Sequence, residues 1–126
     1  EQVLARAAAR HMTADAAARL GDAALAMNRA LIAGNVIAFL EADKLLDEIM
    51  AEAAENMFAA RVAAPLQTHS RRFWYRYQSD SGLSQSAEHH VGLIRAILDG
   101  DEKRAGREAD RLMLMLRGLA EQAARR

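Results

Sequence analysis

Residues 36–54 read VIAFLEADKLLDEIMAEAA, and the fold is decided in this stretch. Alanine, leucine, methionine, glutamate and lysine dominate it, all good helix formers, and nothing in it alternates apolar and polar residues with a period of two. Spaced at about 100° around a helix axis, Phe39, Leu46, Met50 and Ala53 gather on one side. Glu41, Lys44, Glu48 and Glu52 fall opposite. Asp43 lies within the apolar group, and Asp47, one turn later, lies at its edge. A carboxylate turned toward a core is expensive unless it is paired, protonated or bound to a metal. Asp43 therefore needs a partner.

The rest of the chain repeats this helical character. Alanine fills 29 of the 126 positions, and Pro65 is the single proline. Strand-favouring residues are scarce, so the expected class is all-α, an antiparallel bundle of six to seven helices in one domain. The first helix is short, Gln2 to Arg10. Thr13 is a good N-cap for the second, which Gly34-Asn35 ends. The third covers Val36 to about Ala54, and the fourth runs from near Asn56 to about Tyr77 with a kink expected at Pro65. Gln78 to Leu83 (QSDSGL) carries turn chemistry. A fifth helix is expected from Ser84 to about Leu98. Gly100 stops it and Asp101 caps the sixth.

Composition excludes several functions. Seventeen basic and seventeen acidic side chains cancel, which argues against nucleic-acid binding through bulk charge. With no cysteine there is no disulfide scaffold, thiol nucleophile or Cys-ligated zinc. No apolar run approaches the roughly 20 residues that span a bilayer, and no signal peptide opens the chain. The missing initiator Met suggests a piece of something longer. Gly-rich phosphate loops, H-E-x-x-H and G-x-S-x-G are all lacking.

Two other helices carry polar residues among apolar ones. In the fifth, Ala87, Val91, Leu93, Ile94, Ile97 and Leu98 form the stripe, with His90 inside it and His89 outside. In the fourth, Val62, Leu66, Phe73 and Tyr77 align with His69 among them. Arg72 and Arg76 flank that face while Arg71 points away. An aspartate, two histidines and two arginines would then turn inward from three helices. Imidazole and carboxylate on facing helices are the ingredients of a bundle metal site, and arginine is the usual partner of a buried anion. Each histidine could equally be a hydrogen-bonded core residue. Leu112 to Leu116 (LMLML) reads as packing, Arg104, Arg107 and Arg111 as a solvated face, and Phe73-Trp74-Tyr75 as core and pocket wall.

These same residues carry a family resemblance. Asp43-Lys-Leu-Leu-Asp47, followed by Ala53-Ala54-Glu55-Asn56, resembles the D-x-x-F-H…A-A-x-N signature of the FCD domain. That domain is the C-terminal effector-binding half of the FadR-type subfamily of GntR-type transcriptional regulators. Glu88 to Asp101 (EHHVGLIRAILDGD) is similar to the family's E-H-x-x-I-x-x-A-I-x-x-G-D stretch, and its spacing to Gly100-Asp101 aligns His90 with the family histidine. Ser70-Arg-Arg-Phe-Trp74 is similar to a string in some members. The resemblance implies a helical bundle around a small-molecule cavity, a homodimer, and a cytoplasmic bacterial regulator rather than an enzyme. It also implies that operator DNA is read by a winged helix-turn-helix domain that this chain lacks, and that no membrane is involved.

Many members bind a divalent metal through one aspartate and three histidines. Asp43 and His90 match, but Asp47 stands at the second histidine position and Leu112 at the last. The resemblance thus implies either of two arrangements. One is a metal site of Asp43, Asp47 and His90, with or without His69, whose oxygen-rich set would favour Mn²⁺ or Mg²⁺ over Zn²⁺ or Ni²⁺. The other is a metal-free pocket in which His90, Arg72, Arg76 and His69 meet an organic acid, the commonest type of family effector. Two further readings stand beside the sensor. A ligand-free helical dimerisation module would leave the inward polar residues unexplained, and a bundle metalloenzyme would want an E-x-x-H motif, which the sequence lacks.

Overall fold

The computed structural model describes residues 2–77 and 80–125, and among these there are six α-helices and no strand. They are α1 (Gln2–Arg10), α2 (Ala14–Ala33), α3 (Val36–Ala54), α4 (Met57–Tyr77), α5 (Asp80–Leu98) and α6 (Glu102–Ala124). The expected all-α bundle is what the chain forms.

Two corners of the same design turn the chain. Gly34 and Gly100 follow α2 and α5 with φ of 67° and 68°, a left-handed conformation that glycine adopts without a Cβ clash. In each corner the next residue closes the old helix and opens the new one. The Asn35 N–H donates to Ala30 O at 2.9 Å, and its side-chain oxygen accepts from the Ala38 N–H at 3.0 Å. The Asp101 N–H likewise donates to Ala96 O, and its carboxylate accepts from the Arg104 N–H, both at 3.0 Å. Thr13 and Asn56 cap α2 and α4 through the Ala16 and Ala59 N–H groups. Connections this short reverse the chain, so α2 packs on α3 and α5 on α6 as antiparallel pairs.

The short α1 fills the middle. Its Leu4, Ala5, Ala8 and Ala9 are fully buried, and it lies against α6, α3 and α5. Around it sit Leu20 and Met27 of α2, Phe39, Leu46, Ile49 and Met50 of α3, and Leu93 and Ile97 of α5. Alanines at the crossings let the helices approach closely. On the surface Arg19 hydrogen-bonds Glu52 and so holds that carboxyl below its ordinary value. Both groups are solvated, so the pair adds little stability.

Helix α4 is built differently. Trp74 is its one fully buried side chain among the described residues, while Phe58, Val62 and Leu66 are 81%, 53% and 63% exposed. It rests chiefly on α3, through small residues such as Ala59, Ala60 and Ala63, with lighter contacts to α6 and α1. Of the apolar line expected to point inward, Val62 and His69 face out, and Leu66, though largely exposed, reaches the edge of a cavity. Helix α4 also continues through Pro65 without a break. Two other expectations need correction. Helix α5 begins at Asp80 rather than Ser84, which leaves Gln78 and Ser79 of the expected loop outside the described residues. In the LMLML run Leu112 is buried as expected, but Leu114 is 65% exposed.

Replacing Asp101 with Ala removes the cap of α6 while leaving the glycine turn in place. The expected loss is about 1 kcal/mol, read in urea unfolding as a lower midpoint with an unchanged slope.

Candidate functional site

Between α3, α4, α5 and α6, with the start of α1 at its rim, lies a cavity of about 370 Å³. Its walls are mostly apolar, from Phe39, Leu46, Leu93, Leu112 and Leu116. One wall is charged. The size suits a small organic molecule, and the mix of apolar lining with a few convergent polar groups is typical of ligand pockets.

The charged wall is assembled from three helices. Asp43 and Asp47, one turn apart on α3, both turn to the cavity, where their side chains are 16% and 14% exposed. From α4 comes Arg71, whose Nη1 donates to Asp47 Oδ2 at 2.7 Å and lies 3.7 Å from Asp43 Oδ2. From α5 comes His90, buried, with Nε2 at 2.7 Å from Asp43 Oδ1 and Nδ1 at 2.6 Å from the Ser86 carbonyl oxygen. Both ring nitrogens thus face oxygen acceptors. The Ser86 hydroxyl also lies 3.4 Å from Nδ1. A ring protonated on both nitrogens would donate to both oxygens, and in that imidazolium form it and the guanidinium balance the two carboxylates.

Aromatic rings back this cluster. Phe39 stacks on Trp74 and meets His90 edge-on, each with ring centroids 5.8 Å apart. The Trp74 indole N–H is buried with no acceptor among the protein atoms described. At the rim, Gln2 donates to Asp110 at 3.3 Å.

A family model described as FCD domain matches residues 1–114. The chain belongs to the FCD domain family. A search of curated proteins finds no match. FCD domains in general are ligand-sensing domains of GntR-type regulators, with a regulatory rather than an enzymatic role. No helix among the described residues of this FCD domain is long and apolar enough to cross a membrane.

The residues expected at the site divide into two groups. Asp43, Asp47 and His90 are brought together on the cavity wall. His69, Arg72 and Arg76 are exposed and do not line the cavity, and Arg72 lies beside a shallow outer groove with Tyr75 and Lys44. Arg71, which the helical wheel had pointing away, is the arginine that enters. The reason is the rotation of α4. Ala63, Leu66, Gln67, Ser70, Arg71 and Trp74 line the cavity, and the small and polar residues among them give no hydrophobic signal.

The metal set implied by the resemblance does not fit this wall. Among the described residues no three carboxylate or imidazole groups are arranged to hold an ion. His69 is on the outside, and Arg71 stands against both carboxylates. An ion sharing those carboxylates would sit about 4 Å from the guanidinium, where even two unit charges repel by about 4 kcal/mol at an effective dielectric of 20.

Removing one member leaves its partners largely buried without a counterpart. Asp43→Ala deprives His90 and weakens the hold on Arg71, and is expected to cost about 3 kcal/mol. Asp47→Ala leaves Arg71 beside Asp43 and is expected to cost about 2 kcal/mol. Urea unfolding of the two variants checks the order. Nitrogen NMR of the ring checks the charge: at neutral pH both His90 nitrogens should carry a proton, and a bare Nδ1 would contradict the imidazolium.

Proposed function

We propose that this chain is the effector-sensing domain of a bacterial, cytoplasmic GntR-type transcriptional regulator, and that its effector is a small organic acid. The observation that carries the reading is the cavity of about 370 Å³ with Arg71 on its wall. An apolar body of the ligand fills the space lined by Leu46, Leu93, Leu112 and Leu116. Its carboxylate takes hydrogen bonds from Arg71 in place of the long 3.4 Å contact of Nη2 to Thr68 Oγ1, with Gln67 and Ser70 close by on the same helix. A planar guanidinium can serve two carboxylates at once because it has five donors.

The signal passes through α4. This helix has little buried apolar surface of its own and is tied to α3 through Arg71, so a ligand on Arg71 acts on the packing of α4 against the bundle. The regulator works as a homodimer, and a winged helix-turn-helix domain of the same regulator reads operator DNA. Only a ligand with different affinity for two packings can shift the DNA-binding domains, and a useful coupling is about 1–3 kcal/mol.

Trp74 is the only tryptophan and lines the cavity, so its fluorescence reports on occupancy. Titration with a panel of aliphatic, aromatic and sugar acids should reveal at least one that changes Trp74 emission and raises the melting temperature. Arg71→Gln is expected to weaken that acid by roughly 1.5–3 kcal/mol, the worth of a hydrogen bond to a charged group. A panel without any binder, or a binder indifferent to Arg71, would overturn the assignment of an acid effector.

A further inference from the structure

Asp43, Asp47 and His90 are three side chains with the chemistry of metal ligands, on one wall of one cavity, yet each is already held by a proton donor or acceptor of the protein. Asp47 Oδ2 accepts from Arg71 at 2.7 Å. Asp43 Oδ1 accepts from His90 at 2.7 Å, while its Oδ2 lies 3.7 Å from the same Arg71 Nη1. The His90 nitrogen that faces the carboxylates is the one bound to Asp43. Arg71 is itself only 15% exposed and is placed by the path of α4, as Asp43 and Asp47 are placed by α3.

We propose that Arg71 is the resident cation of this cluster, making the site independent of divalent metal. The guanidinium lies in reach of both carboxylates, where an ion shared between them would have to be. A metal could enter only by displacing Arg71 from both carboxylates and taking His90 away from Asp43. The inference does not depend on which effector the cavity accepts.

The test is divalent-ion binding by the purified chain, stripped with chelator and then dialysed against Mn²⁺ or Zn²⁺ at micromolar free concentration. The wild type is expected to retain much less than one ion per chain and to melt at the same temperature with either ion or with chelator. Arg71→Met uncovers both carboxylates and should bind the ions roughly tenfold to a hundredfold more tightly. Adding Asp47→Asn to that variant should abolish the gain. Arg71→Lys keeps a cation in place and should stay metal-poor. A wild type that holds one ion per chain, and loses it in Asp43→Asn, overturns the proposal. So does a folded Arg71→Met that gains no affinity. If circular dichroism shows Arg71→Met to be unfolded, the wild-type metal content and the Arg71→Lys result decide alone.

Discussion

Four ionisable side chains, Asp43, Asp47, Arg71 and His90, tie three helices together at the edge of an apolar core. None of the four could be there alone, because an isolated charge with so little access to water loses more solvation than the surrounding helices return. Together they satisfy one another through short, directed hydrogen bonds, and each fixes the rotation of the helix that carries it. For α3 and α5 this constraint is redundant, since Phe39, Leu46 and Met50 on one and Leu93 and Ile97 on the other already bury an apolar face. For α4 it is not. That helix turns Phe58 and Val62 to the outside, offers Ala63, Gln67 and Ser70 to the inside, and leaves Leu66 largely exposed at the cavity's edge. Arg71 and Trp74 are what orient it.

The cavity follows from the same choice. A helix packed by large side chains would fill the space between α3, α5 and α6. Small residues facing inward leave room, and close packing elsewhere keeps the room from collapsing. The strength of the core and the presence of the pocket are thus two results of one distribution of side-chain size. Alanine brings α1, α3 and α6 together where stability is needed, and alanine and serine on α4 hold the wall back where a ligand is to be admitted.

This explains which parts of the molecule could be read from its sequence. The helices, their caps and the two glycine corners are local features, set by Thr13, Gly34-Asn35 and Gly100-Asp101, and they appear in the structure where their chemistry puts them. Asp43 and His90 were legible because each interrupts a strong apolar stripe on a helix that does pack by that stripe. On α4 the same rule selected the wrong side. Hydrophobic periodicity assumes that the inner face is the greasy one, and a helix that lines a cavity with small and polar groups breaks the assumption. The error moved Arg72, Arg76 and His69 inward on the wheel and Arg71 outward. A different question would have found Arg71: which cation could neutralise two aspartates one turn apart? The start of α5 was misread for a related reason. Serine, aspartate and glycine weaken a helix locally, but they do not stop one that the bundle supports.

A pocket whose one cation is already paired with carboxylates offers an anionic ligand little net field, so selectivity must come from direction and shape. The guanidinium supplies direction, since its donors lie in one plane and Asp47 and Asp43 together fix how that plane is set. The leucines of α3, α5 and α6 supply shape. A ligand that used only the apolar walls would bind without touching the tie between α3 and α4, and so would carry no signal through it. A ligand that used only the charges would compete against two built-in carboxylates already in place. Recognition and response therefore coincide only for a molecule that fills the apolar space and engages Arg71 in the same act, because the residue that orients α4 is also the one the ligand must address.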